Sequence, residues 1–393
     1  MKPKEKISNL NFASRVEEPS LNCINHLYNK KSKNLQFILL FISFIIASCC
    51  IINGCDPCGI GGQTVYPDFR SDIYFSAIPV NDSVPNVYGI SADGSNYRLI
   101  APQGELYSAP SENNLLLYLR RHETIRNQLF LINLKNGQTK EIVPDPKLSD
   151  YLRIDQPLLS PDGNSIIFTN SGFMELYYIR TNDTFSCNLT RICAENSMPV
   201  YSPDSKMMAY YEGASLEQAL TIKIINLSNP TKFYTALPYL FGLANHNALA
   251  TIDWAKDGSD NLAFVLTKGK DDVLYYVKYY DPNQFIEINT DSIGAYNPVV
   301  SPDGTTLAFA ANNGNIYLKK VDDKSHNFQK LTDCNEGELN LYPQWSPDGK
   351  KILYTKYFLE DFEKYKGRLE VINISTGKIK VLCNNAFMGF WSK

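Results

Sequence analysis

Hydrophobic and polar positions along this chain fall into short alternating blocks. At 299–311 the sequence reads VVSPDGTTLAFAA: two valines, a polar Ser-Pro-Asp-Gly, then Thr305, Thr306, Leu307, Ala308, Phe309 and Ala310. Proline sets φ for the second position of a type I turn, Asp suits the third, and Gly lets the chain leave at an unusual angle. Apolar and β-branched residues on both sides of such a turn predict two antiparallel strands joined by a hairpin.

The block recurs. LLSPDGNSIIFTN begins at Leu158, VYSPDSKMMAYYE at Val200, DWAKDGSDNLAFV at Asp253 and QWSPDGKKILYTK at Gln344. Successive turns start 42, 53, 46 and 45 residues apart, the period of a repeat architecture. A third strand follows each pair (ELYYIRT at 175, TIKIINL at 221, VLYYVKY at 273, NIYLKKV at 315, RLEVINI at 368), and a short fourth strand closes the unit, as in NLT at 188 or QKLT at 329. Four antiparallel strands per period make one propeller blade. Two weaker copies come earlier, one from Ala109 with an Asn136-Gly137 hairpin turn, the other at 70–77 and 87–100. The reading is an all-β, seven-bladed propeller, with six or eight blades as neighbouring counts.

A propeller joins its last blade to its first or leaves sheet edges exposed. The segment GFWSK, Gly389 to Lys393, matches the start of a blade such as PQWSP at 343–347 and is expected to supply the innermost strand of blade one. TVYPDF at 64–69 is the competing candidate for that slot.

These SPDG blades, the WSPDGKKILY of the last repeat and VYGISADGSNYRLI of the first resemble the TolB-like repeat, also called the WD40-like or PD40 repeat, over residues 64–393. TolB itself carries an α/β domain ahead of its propeller, whereas 49–63 alone separate the export segment from the first blade here, so the resemblance is to the repeat and not to TolB as a whole. Similar repeats form the propellers of prolyl-oligopeptidase-like enzymes, which add a hydrolase domain with a G-x-S-x-G elbow, a motif this sequence lacks. The oligogalacturonate lyase propeller is a further relative by fold and implies a metal held by several histidines.

Charge and the N-terminus supply an address. The first 48 residues hold seven Lys or Arg against three acids, leaving 31 basic and 38 acidic residues after them, a balance unlike that of a nucleic-acid binder. Lys30, Lys31 and Lys33, an apolar run from Phe37 to Ile46, and Ile46-Ala47-Ser48-Cys49 follow the order of a secretory signal. The ending resembles a bacterial lipobox. Residues 1–48 are thus read as extension and signal, Cys49 as the lipidated anchor and 49–63 as a tether, with a transmembrane helix or a cleaved soluble protein as alternatives. The expected location is the bacterial envelope, attached to a membrane through the lipid.

Candidate chemistry is sparse. Cys55 and Cys58 form C-x-x-C within the tether, Cys187 and Cys193 flank a fourth strand and could bridge, and Cys334 and Cys383 read as buried free thiols. His122, His246 and His326 fall on turns of opposite faces, which argues against one metal site; no metal or cofactor is expected. Asp162, Asp204, Asp257, Asp303 and Asp348 recur at one blade position and read as turn residues rather than catalytic acids. Function is expected instead on the long loops 144–157, 237–250, 333–343 and 356–368, all on the face opposite the SPDG turns. Their aromatics, Tyr239, Phe241, Tyr342, Tyr357, Phe358 and Tyr365, are the candidate partner anchors. The expectation is a non-catalytic platform for an envelope protein or peptide, with a polysaccharide-related enzyme or carbohydrate-binding propeller as the alternative.

Overall fold

The computed structural model describes residues 68–79, 83–121, 127–142, 154–170, 175–181, 186–191, 199–212, 221–236, 252–268, 271–281, 285–290, 293–325, 327–360 and 367–392. Every named element among them is a strand. Repeat one contributes β1 (Ile73–Ala77), β2 (Asn86–Ile90) and β3 (Arg98–Ala101), and repeat two β4 (Leu115–Arg120), β5 (Gln128–Asn133) and β6 (Thr139–Ile142). Repeat three holds β7 (Ile154–Leu159), β8 (Ser165–Asn170), β9 (Glu175–Arg180) and β10 (Ser186–Arg191); repeat four β11 (Val200–Tyr201), β12 (Met207–Glu212), β13 (Thr221–Asn226) and β14 (Asn229–Ala236). Repeat five holds β15 (Ile252–Trp254), β16 (Asn261–Lys268), β17 (Asp271–Lys278) and β18 (Phe285–Asn289); repeat six β19 (Tyr296–Val300), β20 (Thr306–Ala310), β21 (Ile316–Lys320) and β22 (Gln329–Lys330). Repeat seven holds β23 (Glu338–Trp345), β24 (Lys351–Phe358), β25 (Gly367–Asn373) and β26 (Ile379–Trp391).

Repeats three to six are each a four-stranded antiparallel sheet in sequence order. Repeat two shows three strands among the described residues; the segment before β4 meets it through the Glu105–Leu119 bridge and a hydrogen bond from the Ser111 N–H to Leu115 O at 2.9 Å. The first and last repeats share one seven-stranded sheet, β23-β24-β25-β26-β1-β2-β3. Within it, residues 379–386 of β26 pair with β25 and residues 386–391 pair with β1, with Ala386 opposite both Gly367 and Ala77. Of the competing segment at 64–69, the described end lies elsewhere: Phe69 donates its N–H to Leu134 O at 2.7 Å and its ring covers Gly137 of repeat two.

Sheets stack on both faces, which is why the second strands read as unbroken apolar runs rather than as strict alternations. In β12, Met207, Ala209 and Tyr211 pack toward repeat five while Met208 and Tyr210 pack toward repeat three. In β20, Leu307 and Phe309 join Ala263 and Leu274 of repeat five, and Ala308 joins Trp345 and Tyr354 of repeat seven. The same kind of cluster links repeats one and two, and two and three. A further one joins Ile73, Phe75 and Ile90 of repeat one to Leu353, Leu369 and Val371 of repeat seven. Each fully buried Phe or Leu in such a layer contributes roughly 1.5–3 kcal/mol relative to exposure.

The SPDG turn is a hydrogen-bonded box. Ser160, Ser202, Ser301 and Ser346 each donate Oγ–H to the Asp two residues on, at 2.6 Å in all four. Each of those Oδ1 atoms also accepts the N–H two residues further on, at 3.0 or 3.1 Å. The Ser Oγ in turn accepts the N–H of the first residue of the next strand at 2.9 Å. The fourth turn position is left-handed, φ 73° at Gly304 and 61° at Ser205, which explains why Gly is usual there. Apart from a contact between Asp162 and Ser205 of the neighbouring turn, these carboxylate bonds are made within the turn itself, as expected of a turn residue.

Candidate interaction face

Within a repeat, the SPDG turns and the third-to-fourth strand connections lie at one end of the strands, and the second-to-third strand loops lie at the other. The second end is built around a feature the sequence reading missed. In β7, β19 and β23 the register slips over two residues, Gln156-Pro157, Asn297-Pro298 and Tyr342-Pro343. The first of each pair is left-handed, with φ of 47°, 47° and 56°, and Met388 of β26 (φ 48°) sits at the matching place beside its own register shift. A non-glycine residue held there costs about 1–3 kcal/mol. Because the bulge recurs four residues before the turn Ser, it belongs to the design of the inner strand. The signal in the sequence was a proline at constant spacing, three residues before Ser160, Ser301 and Ser346.

These bulges gather an apolar group where the inner strands begin. Ile78, Ala310, Leu341, Tyr357 and Phe387 are buried together, with Tyr296, Leu339, Tyr342 and Met388 packed on them. Tyr342 and Tyr357 meet edge to face, ring centroids 6.4 Å apart. The Tyr342 N–H reaches Asn297 Oδ1 at 3.5 Å, linking the bulges of repeats six and seven. Three expectations are corrected here: Tyr342, Tyr357 and Phe358 are not loop residues, because β23 starts at Glu338 and β24 runs to Phe358, extending strands into both supposed loops. Tyr357 is buried in the apolar group and Tyr342 is half-buried on it. Phe358 ends β24, with the Arg368 guanidinium 5.7 Å from its ring centre. Beside it Leu359 is 54% exposed, an apolar residue at this end that the sequence reading did not single out. Tyr239, Phe241, Tyr365, Cys49, Cys55, Cys58, Cys193 and the three histidines lie outside the described residues.

Polar groups border the apolar ones. Lys356 pairs with Glu338 at 2.9 Å, and that pairing, after the Asn335 N–H, holds the Glu338 carboxyl below its usual range. Behind it, Tyr354 donates to the buried Glu370 at 2.6 Å and Arg368 pairs with the other oxygen at 2.5 Å. Cys334 and Cys383 are free thiols but only half-buried; burial pushes Cys334 up to about 11, away from reactivity at neutral pH. At the same end of repeats two and three, Arg121 binds Glu105 at 2.8 Å and Asp155 at 2.9 Å and also donates to the Tyr107 hydroxyl. Tyr107 donates to Glu105 at 2.7 Å. Burial alone would lower the Arg121 pKa, but the surrounding Tyr and carboxylates carry it above the ordinary value. Among the described residues no group of three or more His, Cys, Asp or Glu is placed to hold a metal ion.

No family model matches the chain, and no curated protein matches it. Many solved structures do. TolB from Acinetobacter baumannii is 15% identical, covering 94% of this chain and 75% of its own, with a TM-score of 0.49. A puromycin-hydrolyzing peptidase of Mycobacterium tuberculosis is 13% identical at a TM-score of 0.58, covering 81% of this chain, which spans about half of the peptidase (53%). An oligogalacturonate lyase in complex with manganese is 10% identical at a TM-score of 0.51, covering 79% of this chain and 84% of its own. At these identities the likeness is one of fold.

Proposed function

We propose that this TolB-like propeller chain, distinct from TolB itself, closes as a seven-bladed ring, is held on a bacterial envelope membrane through Cys49, and presents the bulged end of its inner strands to a protein or peptide partner. Ring closure through β26 is supported by a hydrogen bond that occurs twice. Trp345, next to Ser346, donates Nε1–H to Val299 O of the preceding repeat at 3.2 Å. Trp391, next to Ser392, donates to Gln344 O at 3.2 Å. Val299 and Gln344 occupy the same position, two residues before the turn Ser, so β26 docks on repeat seven as β23 docks on repeat six. The cluster between repeats one and seven is the matching apolar contact.

The binding reading is carried by the apolar and aromatic group around Tyr342 and Tyr357, with exposed Leu359 beside it. Large apolar side chains ringed by paired charges suit a protein interface, whose centre is depleted of free charge. The Arg121 cluster favours a second reading, a polysaccharide-related enzyme or carbohydrate-binding propeller, since two carboxylates and a tyrosine converge there. Both carboxylates are engaged by Arg121, however, which suits a fixed polar wall better than a proton shuttle.

The test is photo-crosslinking in cells from p-benzoylphenylalanine at Leu359, with the exposed Lys206, on the tight turn of repeat four at the opposite end, as control. A discrete protein adduct from Leu359 and none from Lys206 is expected. Equal adducts from both positions, or a glycan adduct alone, would overturn the platform.

A further inference from the structure

A groove of about 780 Å³ opens at the opposite, tight-turn end, between repeats six and seven. Elsewhere at this end neighbouring turns are laced together. Asn113 donates to Asp162 O at 3.0 Å, the Asp162 N–H reaches Ser205 Oγ at 3.1 Å, and Tyr276 donates to Gly304 O at 3.3 Å. Between turns 301–304 and 346–349 no hydrogen bond joins the described residues, and a Cβ on Gly349 would meet only Pro302, at 3.7 Å.

One wall comes from the connection between β21 and β22, through Asp323, Asn327 and Phe328. It is organised from beneath by Lys319, only 3% exposed, which pairs with Asp323 at 3.1 Å, donates to Ser325 O and to Asn327 O at 3.4 Å, and lies 5.4 Å from the Phe328 ring centre. A buried cation with its donors used in this way fixes the wall before any ligand arrives. The floor is apolar, formed by Leu318, Phe328, Trp345 and Ile374. The rim carries Asp303, Asp323, Asp348 and Lys320; Asp323 is paired with Lys319, and Lys350 and Lys351 act on Asp348 from outside the lining. Asp303 and Asp348 each commit Oδ1 to their own turn, and among the described residues no hydrogen bond is made to Oδ2 of either.

We propose that this groove is a second binding site, and that its ligand is an extended peptide segment that sets a Lys or Arg side chain between Asp303 and Asp348 and lays an apolar or aromatic neighbour on Trp345 and Phe328. Two neighbouring turn carboxylates, each bonded to its turn through Oδ1, over an apolar floor suit a cation attached to an apolar body. The site is independent of the partner face at the other end of the strands.

The experiment is fluorescence anisotropy on the full chain in detergent, with a dye-labelled Lys-Trp-Lys amide as probe and Glu-Trp-Glu amide and cellohexaose as competitors. The basic peptide is expected to bind. Its affinity is expected to fall about tenfold in the double variant Asp303→Asn, Asp348→Asn, whose amide oxygens can still close the turns, and to fall again with added salt. Gln329→Trp, filling the groove from an exposed strand position, is expected to abolish binding, while Leu359→Asp at the other end leaves it unchanged. Absence of binding, equal competition by the acidic peptide, displacement by cellohexaose, or unchanged affinity in the double variant would overturn the proposal.

Discussion

Ser301 and Asp303 show how residues that look catalytic first serve the turn that holds them. Ser301 is 3% exposed; it donates to Asp303 at 2.6 Å and accepts the Thr306 N–H at 2.9 Å, so Ser301→Ala strands a backbone donor as well as loosening the carboxylate. A loss of about 1–3 kcal/mol is expected in denaturant unfolding, against a smaller loss for Asp303→Asn, which keeps an acceptor at Oδ1. The same bonds set a pH dependence. Ser301 and then the Thr305 N–H hold Asp303 below its ordinary range, and Ser346 and the Lys350 N–H do the same for Asp348. A carboxyl whose folded pKa is depressed adds stability that is complete above its unfolded value, about 4, and is lost as pH falls through the folded one. The melting temperature should therefore drop as pH is lowered from about 4 toward 2, and Ser301→Ala should flatten that drop. The structural role of these aspartates was legible because repetition at one position marks a turn constraint. Tyr342 and Tyr357 were misplaced because apolar residues just past a predicted strand end look the same whether the strand continues or a loop begins.

At the scale of elements, turns and strand order were readable, since Pro, Asp and Gly have fixed backbone preferences and the period is long enough for four strands. The bulges were not read, because the left-handed residue itself has no side-chain signature: Gln156, Asn297, Tyr342 and Met388 share their place, and a following proline marks the first three alone. β26 is the element with most at stake. A Cβ on Gly389 would lie 2.7 Å from Leu369 Cδ1 and 2.9 Å from Leu353 Cδ2, in the layer between repeats one and seven. Gly389→Ala is expected to cost about 1–3 kcal/mol by overpacking. Trp391→Phe, which deletes the bond to Gln344 O while keeping most of the ring, should cost about 0.5–1.5 kcal/mol. A neutral result for both in thermal melts would mean that this strand is not seated on repeat seven.

For the whole molecule, the propeller fold was readable from repetition, whereas a ligand was not, since sheets stacked face to face use nearly all their regular positions for packing. The two proposed sites lie at opposite ends of the strands: apolar and aromatic at one, acidic over an apolar floor at the other. If the chain is attached to a membrane through Cys49, as proposed, Cys49→Ser is expected to abolish acylation and release it into the soluble fraction; full retention in the membrane pellet would favour a transmembrane segment instead. Closure is tested most directly by hydrogen exchange on β1 in the intact chain and in one lacking residues 387–393. If β26 completes the ring, the amides of residues 73–77 that bond to it lose protection in the truncated chain, and exposure of the cluster around Phe75 and Leu353 lowers its melting temperature. Unchanged protection of β1 together with an unchanged melt would contradict closure by the C-terminal strand.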